Sequence, residues 1–99
     1  MVIAEVSVVP LGTKTSSVSQ YVARAIKVLE REKGIKYETT AMGTIIEGDL
    51  DKILAVVRKM HEGTFGEGFV RVLTTVKIDD RRDKVQGMET KLDSLKKKL

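Results

Sequence analysis

A chain of 99 residues, 41% hydrophobic and 32% charged, suits one small domain that buries only about two thirds of its unfolded surface, so association with a second copy would add stability. It holds no cysteine, which excludes disulfides, thiolate metal centres and iron–sulfur clusters and suits a reducing cytoplasm. The net charge of +4 sits wholly in residues 81–99, with seven Lys/Arg against three Asp/Glu, while residues 1–80 carry eleven of each sign; such a charged terminal segment argues for a solvated helix end rather than a nucleic-acid surface.

Val2 to Val9 reads as a strand whose faces differ, with Val2, Ala4, Val6 and Val8 on one side and Ile3, Glu5, Ser7 and Val9 on the other. Pro10 and Gly12 stop it. Ser17 and Gln20 form a capping-box pattern, and Val18, Val22, Ala25, Ile26 and Leu29 recur at helical spacing toward Lys33, with Gly34 as a left-handed cap. Ile35 to Thr40 predicts a second strand, reversed at Ala41-Met42-Gly43 into a third, Thr44 to Gly48. Asp49 caps a second helix with Leu50, Ile53, Leu54, Val57 and Met60 on one face and Gly63 past its end.

A glycine-rich loop, Gly63 to Gly68, then leads to the longest strand, Phe69 to Ile78. Val70, Val72, Val76 and Ile78 share one face of it, and Arg71, Leu73, Thr75 and Lys77 the other. After Asp83, as a cap, Val85, Met88, Leu92, Leu95 and Leu99 trace the narrow seam of an extra helix.

The order is therefore βαββαβ, an α+β ferredoxin-like sandwich with a four-stranded antiparallel sheet, two helices on one face and an extra C-terminal helix. Residues 1–80 make the domain, and 81–99 the appended amphipathic helix. The uncovered sheet face would mix Ile3, Val9, Ile45 and Leu73 with Glu5, Ser7, Glu47, Arg71 and Lys77. That face is too apolar to leave wet and too charged for a plain core, which predicts a homo-oligomer. No run approaches roughly 18 apolar residues, no signal peptide is evident, and the last helix lacks an aromatic anchor, so the expectation is a cytoplasmic protein with neither a membrane nor a nucleic-acid partner.

Candidate chemistry is sparse. His61 is the sole histidine, with no cysteine or second histidine to complete a nucleophile–base pair or a metal site, and it reads as a surface or interface residue. Ser16, Ser17 and Ser19 stand at a helix start, where capping explains them as well as phosphate binding does. The glycines from Gly63 to Gly68 follow a helix and precede a strand, the reverse of a nucleotide-binding loop. Glu5 and Glu47 on the open face read either as interstrand ion-pair partners of Arg71 and Lys77 or as a pocket for a small nitrogenous ligand, with Tyr37 or apolar neighbours stacking on its ring.

Glu5-Val6-Ser7-Val8-Val9-Pro10-Leu11-Gly12-Thr13, Met42-Gly43-Thr44-Ile45-Ile46-Glu47-Gly48-Asp49, His61-Glu62, Arg71-Val72 and Lys77-Ile78-Asp79-Asp80-Arg81-Arg82-Asp83 together resemble the thiamine-binding protein family, the small YkoF-like ferredoxin-fold proteins. The resemblance spans nearly the whole chain. It implies binding of thiamine or its hydroxymethylpyrimidine part, no catalysis, no cofactor, and dimers assembled through their sheets into a homotetramer. With such a ligand the expected contacts are Glu5, Ser7, Tyr37, Thr44 and Glu47. The alternative is a regulatory or structural oligomer sensing another small metabolite. An acylphosphatase-like enzyme would need an Asn, which this chain lacks, and an RNA-binding version would need exposed aromatics on its central strands.

Overall fold

The computed structural model describes residues 1–12, 19–65, 69–83 and 88–99. Its elements are β1 (Val2–Pro10), α1 (Ser19–Glu30), β2 (Lys36–Thr39), β3 (Thr44–Gly48), α2 (Leu50–Phe65), β4 (Val72–Asp80) and α3 (Met88–Lys98). The four strands form one antiparallel sheet in the order β2-β3-β1-β4. This is the ferredoxin-like α+β arrangement that the element order predicts.

Alternation along β1 decides which side is core. Val2, Ala4, Val6 and Val8 are all buried, and with Ile46 of β3 they meet Ala25 and Leu29 of α1 and Ile53, Val56, Val57 and Met60 of α2. Each fully buried Val, Leu, Ile or Met side chain contributes roughly 1.5–3 kcal/mol, which makes this layer the main source of stability. Thr64 also lies inside, and its hydroxyl donates to the Met60 carbonyl at 2.9 Å, so the buried polar group is satisfied within its own helix.

Several boundaries differ from the sequence reading. Helix α1 ends at Glu30, short of Lys33, because the chain tightens: the N–H groups of Arg31 and Glu32 bond to the carbonyls three residues back, on Val28 and Leu29. Gly34 does follow in the left-handed region, at φ 82°. Helix α2 runs through Gly63 to Phe65, and Leu54 is exposed at the edge of its buried stripe. Strand β4 starts at Val72 rather than Phe69 and continues to Asp80, where β1 still offers a partner in Val2. At the start of α2 the Asp49 carbonyl accepts the first helical bond, from the Ile53 N–H at 2.9 Å. Ser16, Ser17, Val18, Gly66, Gly68 and Val85 lie outside the described residues.

Helix α3 has no buried residue. Its first turn reaches the open face, where Met88 is half-buried and Lys91 bridges Asp79, whereas Leu92 and Leu95 are about half exposed and Leu99 stands in solvent.

Candidate functional site

The central strand β1 outruns one of its neighbours. It pairs with β4 over its full length, Val2 to Pro10, but with β3 only from Val2 to Val6, opposite Gly48 to Thr44. Past that point the β2–β3 turn draws the chain away. Thr40 builds this turn: its N–H and its hydroxyl both donate to the Gly43 carbonyl, at 2.8 and 2.7 Å, and its Oγ1 accepts from the N–H groups of Met42 and Gly43, each at 3.2 Å.

The gap left beside β1 is a cavity of about 160 Å³ whose walls include Ser7, Val8, Thr39, Thr40, Thr44, Ala25, Ile26, Met42 and Met60. It is several times the roughly 30 Å³ of a water molecule and well below the roughly 300 Å³ at which drug-sized pockets begin, a volume for a single ring. The polar groups around it are neutral. The Leu11 N–H bonds to the Arg71 carbonyl, so odd-numbered β1 residues turn their backbone groups to β4 and even-numbered ones to β3. Val8 therefore presents both its N–H and its C=O on the β3 side, where no strand pairs with it.

Thr44 adds to this edge. It is 4% exposed, and among the described residues no hydrogen bond reaches its hydroxyl, yet none of their side-chain oxygens is both sealed from solvent and unpaired. Its oxygen therefore opens into the cavity.

The carboxylates lie elsewhere. Register places Lys36, Glu47, Ile3 and Asp79 in one row across the open face, and Glu38, Ile45, Glu5 and Lys77 in the next. Glu47 is 7% exposed and borders a groove of about 400 Å³ lined by Ile35, Lys36, Tyr37, Glu38, Met88 and Glu89. Glu5 is exposed, directly opposite Lys77, in a separate depression shared with Lys91. Tyr37 pairs with Ile46, so the pleat sends it to the other side of the sheet from Glu47, although it borders the same groove.

The five sequence-predicted residues thus separate: Ser7 and Thr44 both line the cavity, from opposite sides of the sheet, Glu47 and Tyr37 border the groove, and Glu5 stands apart. Among the described residues neither Glu5 nor Glu47 makes an ion pair, with Arg71, Lys77 or any other base. Residues missed from the sequence are Val8, Thr39, Thr40 and Met60. The Thr39-Thr40 pair before a glycine turn was the legible signal for two of them.

His61 also departs from its reading as a surface or interface residue. It is half-buried between α2 and β4, with Nδ1 2.6 Å from the Thr74 Oγ1 and its ring edge-on to Phe65 at 5.2 Å. Among the described residues no group of three or more His, Asp or Glu side chains is placed to hold a metal ion, and no helix is long and apolar enough to cross a membrane.

A four-stranded antiparallel sheet with two helices on one face, and a cavity where its central strand loses a neighbour, defines a ferredoxin-like α+β protein. The chain belongs to the thiamine-binding protein family, whose model matches residues 4–96. It is 48% identical to the UPF0045 protein YqgV of Bacillus subtilis, over 100% of this chain and 98% of that one. The crystal structure of protein MJ1052 from Methanocaldococcus jannaschii superposes with a TM-score of 0.88 at 45% identity, covering 96% of this chain and 95% of that one. A Thermotoga maritima protein, described as a proposed thiamine biosynthesis/salvage protein, shares the fold at a TM-score of 0.78 and 22% identity, over 95% of this chain and 97% of that one.

Proposed function

We propose that the protein binds thiamine or its hydroxymethylpyrimidine part without transforming it, as a homo-oligomer, with the pyrimidine in the cavity beside Ser7, Val8 and Thr44. The observation that carries this reading is the unpaired edge of Val8 inside a ring-sized, hydroxyl-lined space. An aminopyrimidine has an amino donor next to a ring-nitrogen acceptor. Val8 offers the complement, a carbonyl and an N–H side by side, while Ser7 and Thr44 can donate or accept as the ring requires. Ala25, Ile26 and Met60 supply apolar contact for its faces. Membership of the thiamine-binding family supports the ligand class, and the exposed Leu73 together with the uncovered leucines of α3 supports self-association.

Calorimetry with thiamine and with hydroxymethylpyrimidine tests the assignment. Thr44→Val keeps the shape and removes the hydroxyl, and the expected result is tenfold or weaker binding, which corresponds to about 1.4 kcal/mol. Ser7→Ala should act in the same direction. Wild-type protein that binds neither compound would overturn the ligand, and thiamine recovered chemically altered would overturn the non-catalytic reading.

A further inference from the structure

Glu47 is a carboxylate that the cavity does not use. At 7% exposure it is more than nine-tenths buried, and among the described residues nothing bonds to it. None of the described side-chain oxygens is both sealed and unpaired, so the carboxylate keeps an opening into the groove that it borders. That groove collects two further carboxylates, Glu38 and Glu89, against a single ammonium, Lys36. Lys36 stands opposite Glu47 in the β2–β3 register without bonding to it, and a buried charge without a bonded counter-charge is costly, which makes the groove a ready site for a further cation.

The chain carries a matching cation cluster. The last turn of α3 presents Lys96, Lys97 and Lys98, all exposed, on a helix that leaves Leu92 and Leu95 about half exposed as well. This turn cannot serve its own groove. Helix α3 begins at that groove with Met88 and Glu89, and at 1.5 Å of rise per residue Lys96 lies about 12 Å further along the axis.

We infer that the basic last turn of α3 from a second copy docks in the Glu38–Glu47–Glu89 groove, one of its lysines pairing with Glu47, while Leu92 and Leu95 cover apolar parts of the open sheet face. The inference rests on the self-association proposed above and names the contact that completes it. The neighbouring Ile3 and Ile45, in the first two rows of that face, continue the surface the leucines would cover.

The test is zero-length carbodiimide cross-linking of the full chain, using ¹⁴N- and ¹⁵N-labelled protein unfolded together in equal amounts and refolded so that subunits mix, read by peptide mass spectrometry. Amide-linked peptides joining Glu38, Glu47 or Glu89 to Lys96, Lys97 or Lys98 with mixed labels are expected. Glu47→Gln, nearly isosteric, should weaken assembly tenfold or more in sedimentation, and neutralising the three lysines as Gln should give the same loss without adding to it. Linked peptides carrying only unmixed labels would overturn the inference. So would an oligomer indifferent to both changes, or Glu47→Gln abolishing thiamine binding with assembly intact, since either leaves the lysines no role at this groove. A wild-type monomer at micromolar concentration would overturn the association itself.

Discussion

Val6 and Thr44 form the last cross-strand pair between β1 and β3, and a Cβ built on the adjacent Gly43 would lie 2.9 Å from the Val6 carbonyl oxygen. That carbonyl belongs to the central strand and cannot move without dragging the sheet. The close approach holds the hairpin turn against β1 and sets where the cavity begins.

Gly43→Ala is therefore expected to destabilise the fold by about 1–3 kcal/mol, the usual cost of forcing extra atoms into a packed site. Chemical denaturation would measure the loss. Ligand affinity should fall with it, because Thr40, Met42 and Thr44 are all carried by the displaced turn. A substitution tolerated without change in either quantity would contradict the geometry.

His61 and Thr74 join α2 to β4 through a 2.6 Å hydrogen bond, with Phe65 against the imidazole. His61→Ala should cost about 1–3 kcal/mol, combining a hydrogen bond of about 1 kcal/mol with the ring contact and the lost packing. Thr74→Val should cost about 1 kcal/mol, and the double variant less than the sum. Thiamine affinity should stay within twofold in each, since neither residue lines the cavity.

Glu32 accepts hydrogen bonds from Lys52 and Lys59 at 2.7 and 2.6 Å, tying the turn that follows α1 to α2. The Lys52 bond, then the Lys59 bond, hold its carboxyl below the ordinary value of 4.5. A group whose folded value is depressed stabilises the protein above its unfolded value and loses that contribution as pH falls through the folded one. Glu32→Gln should accordingly be less stable than the wild type at neutral pH, with the gap closing below pH 4.5. Denaturation midpoints between neutrality and acid would show it, and a gap independent of pH would count against the ion pairs.

A chain stopped after Asp83 should remain folded. Helix α3 has no fully buried residue and is held by the half-buried Met88 and an exposed Lys91–Asp79 bridge, the latter a kind of contact worth about 0–1 kcal/mol. Its removal should shift domain stability by about 1 kcal/mol or less while lowering the assembly state in sedimentation. Full-sized assembly of the shortened chain would make the helix an ornament on its own subunit.

Much of this architecture was legible without coordinates, because local rules decide it. Alternation in Val2 to Val9 marks the core face, the glycine at position 34 takes the left-handed turn its residue type allows although α1 has already ended at Glu30, and the order of strand and helix patterns admits few topologies. Ends were less legible. Whether α2 stops at Gly63 or β4 begins at Phe69 depends on neighbours that local propensity does not see, since one glycine costs a helix only about 1 kcal/mol and a strand lasts as long as it has a partner.

The site divides along the same line. Periodicity together with the strand order of a βαββαβ sandwich assigned Glu5, Ser7 and Glu47 to one face, and the register agrees. Which of them share a pocket was decided by how far β3 follows β1, a cross-strand distance absent from any single strand's pattern: pairing ends at Val6 and Thr44, so Ser7 falls beside the gap while Glu47 lies three residues back along β3, in the row of Lys36. Thr44 needed only its place at that last pair to reach the cavity from the core side. His61 was likewise undecidable on its helix, because α2 has a polar flank there until β4 brings Thr74 to meet it.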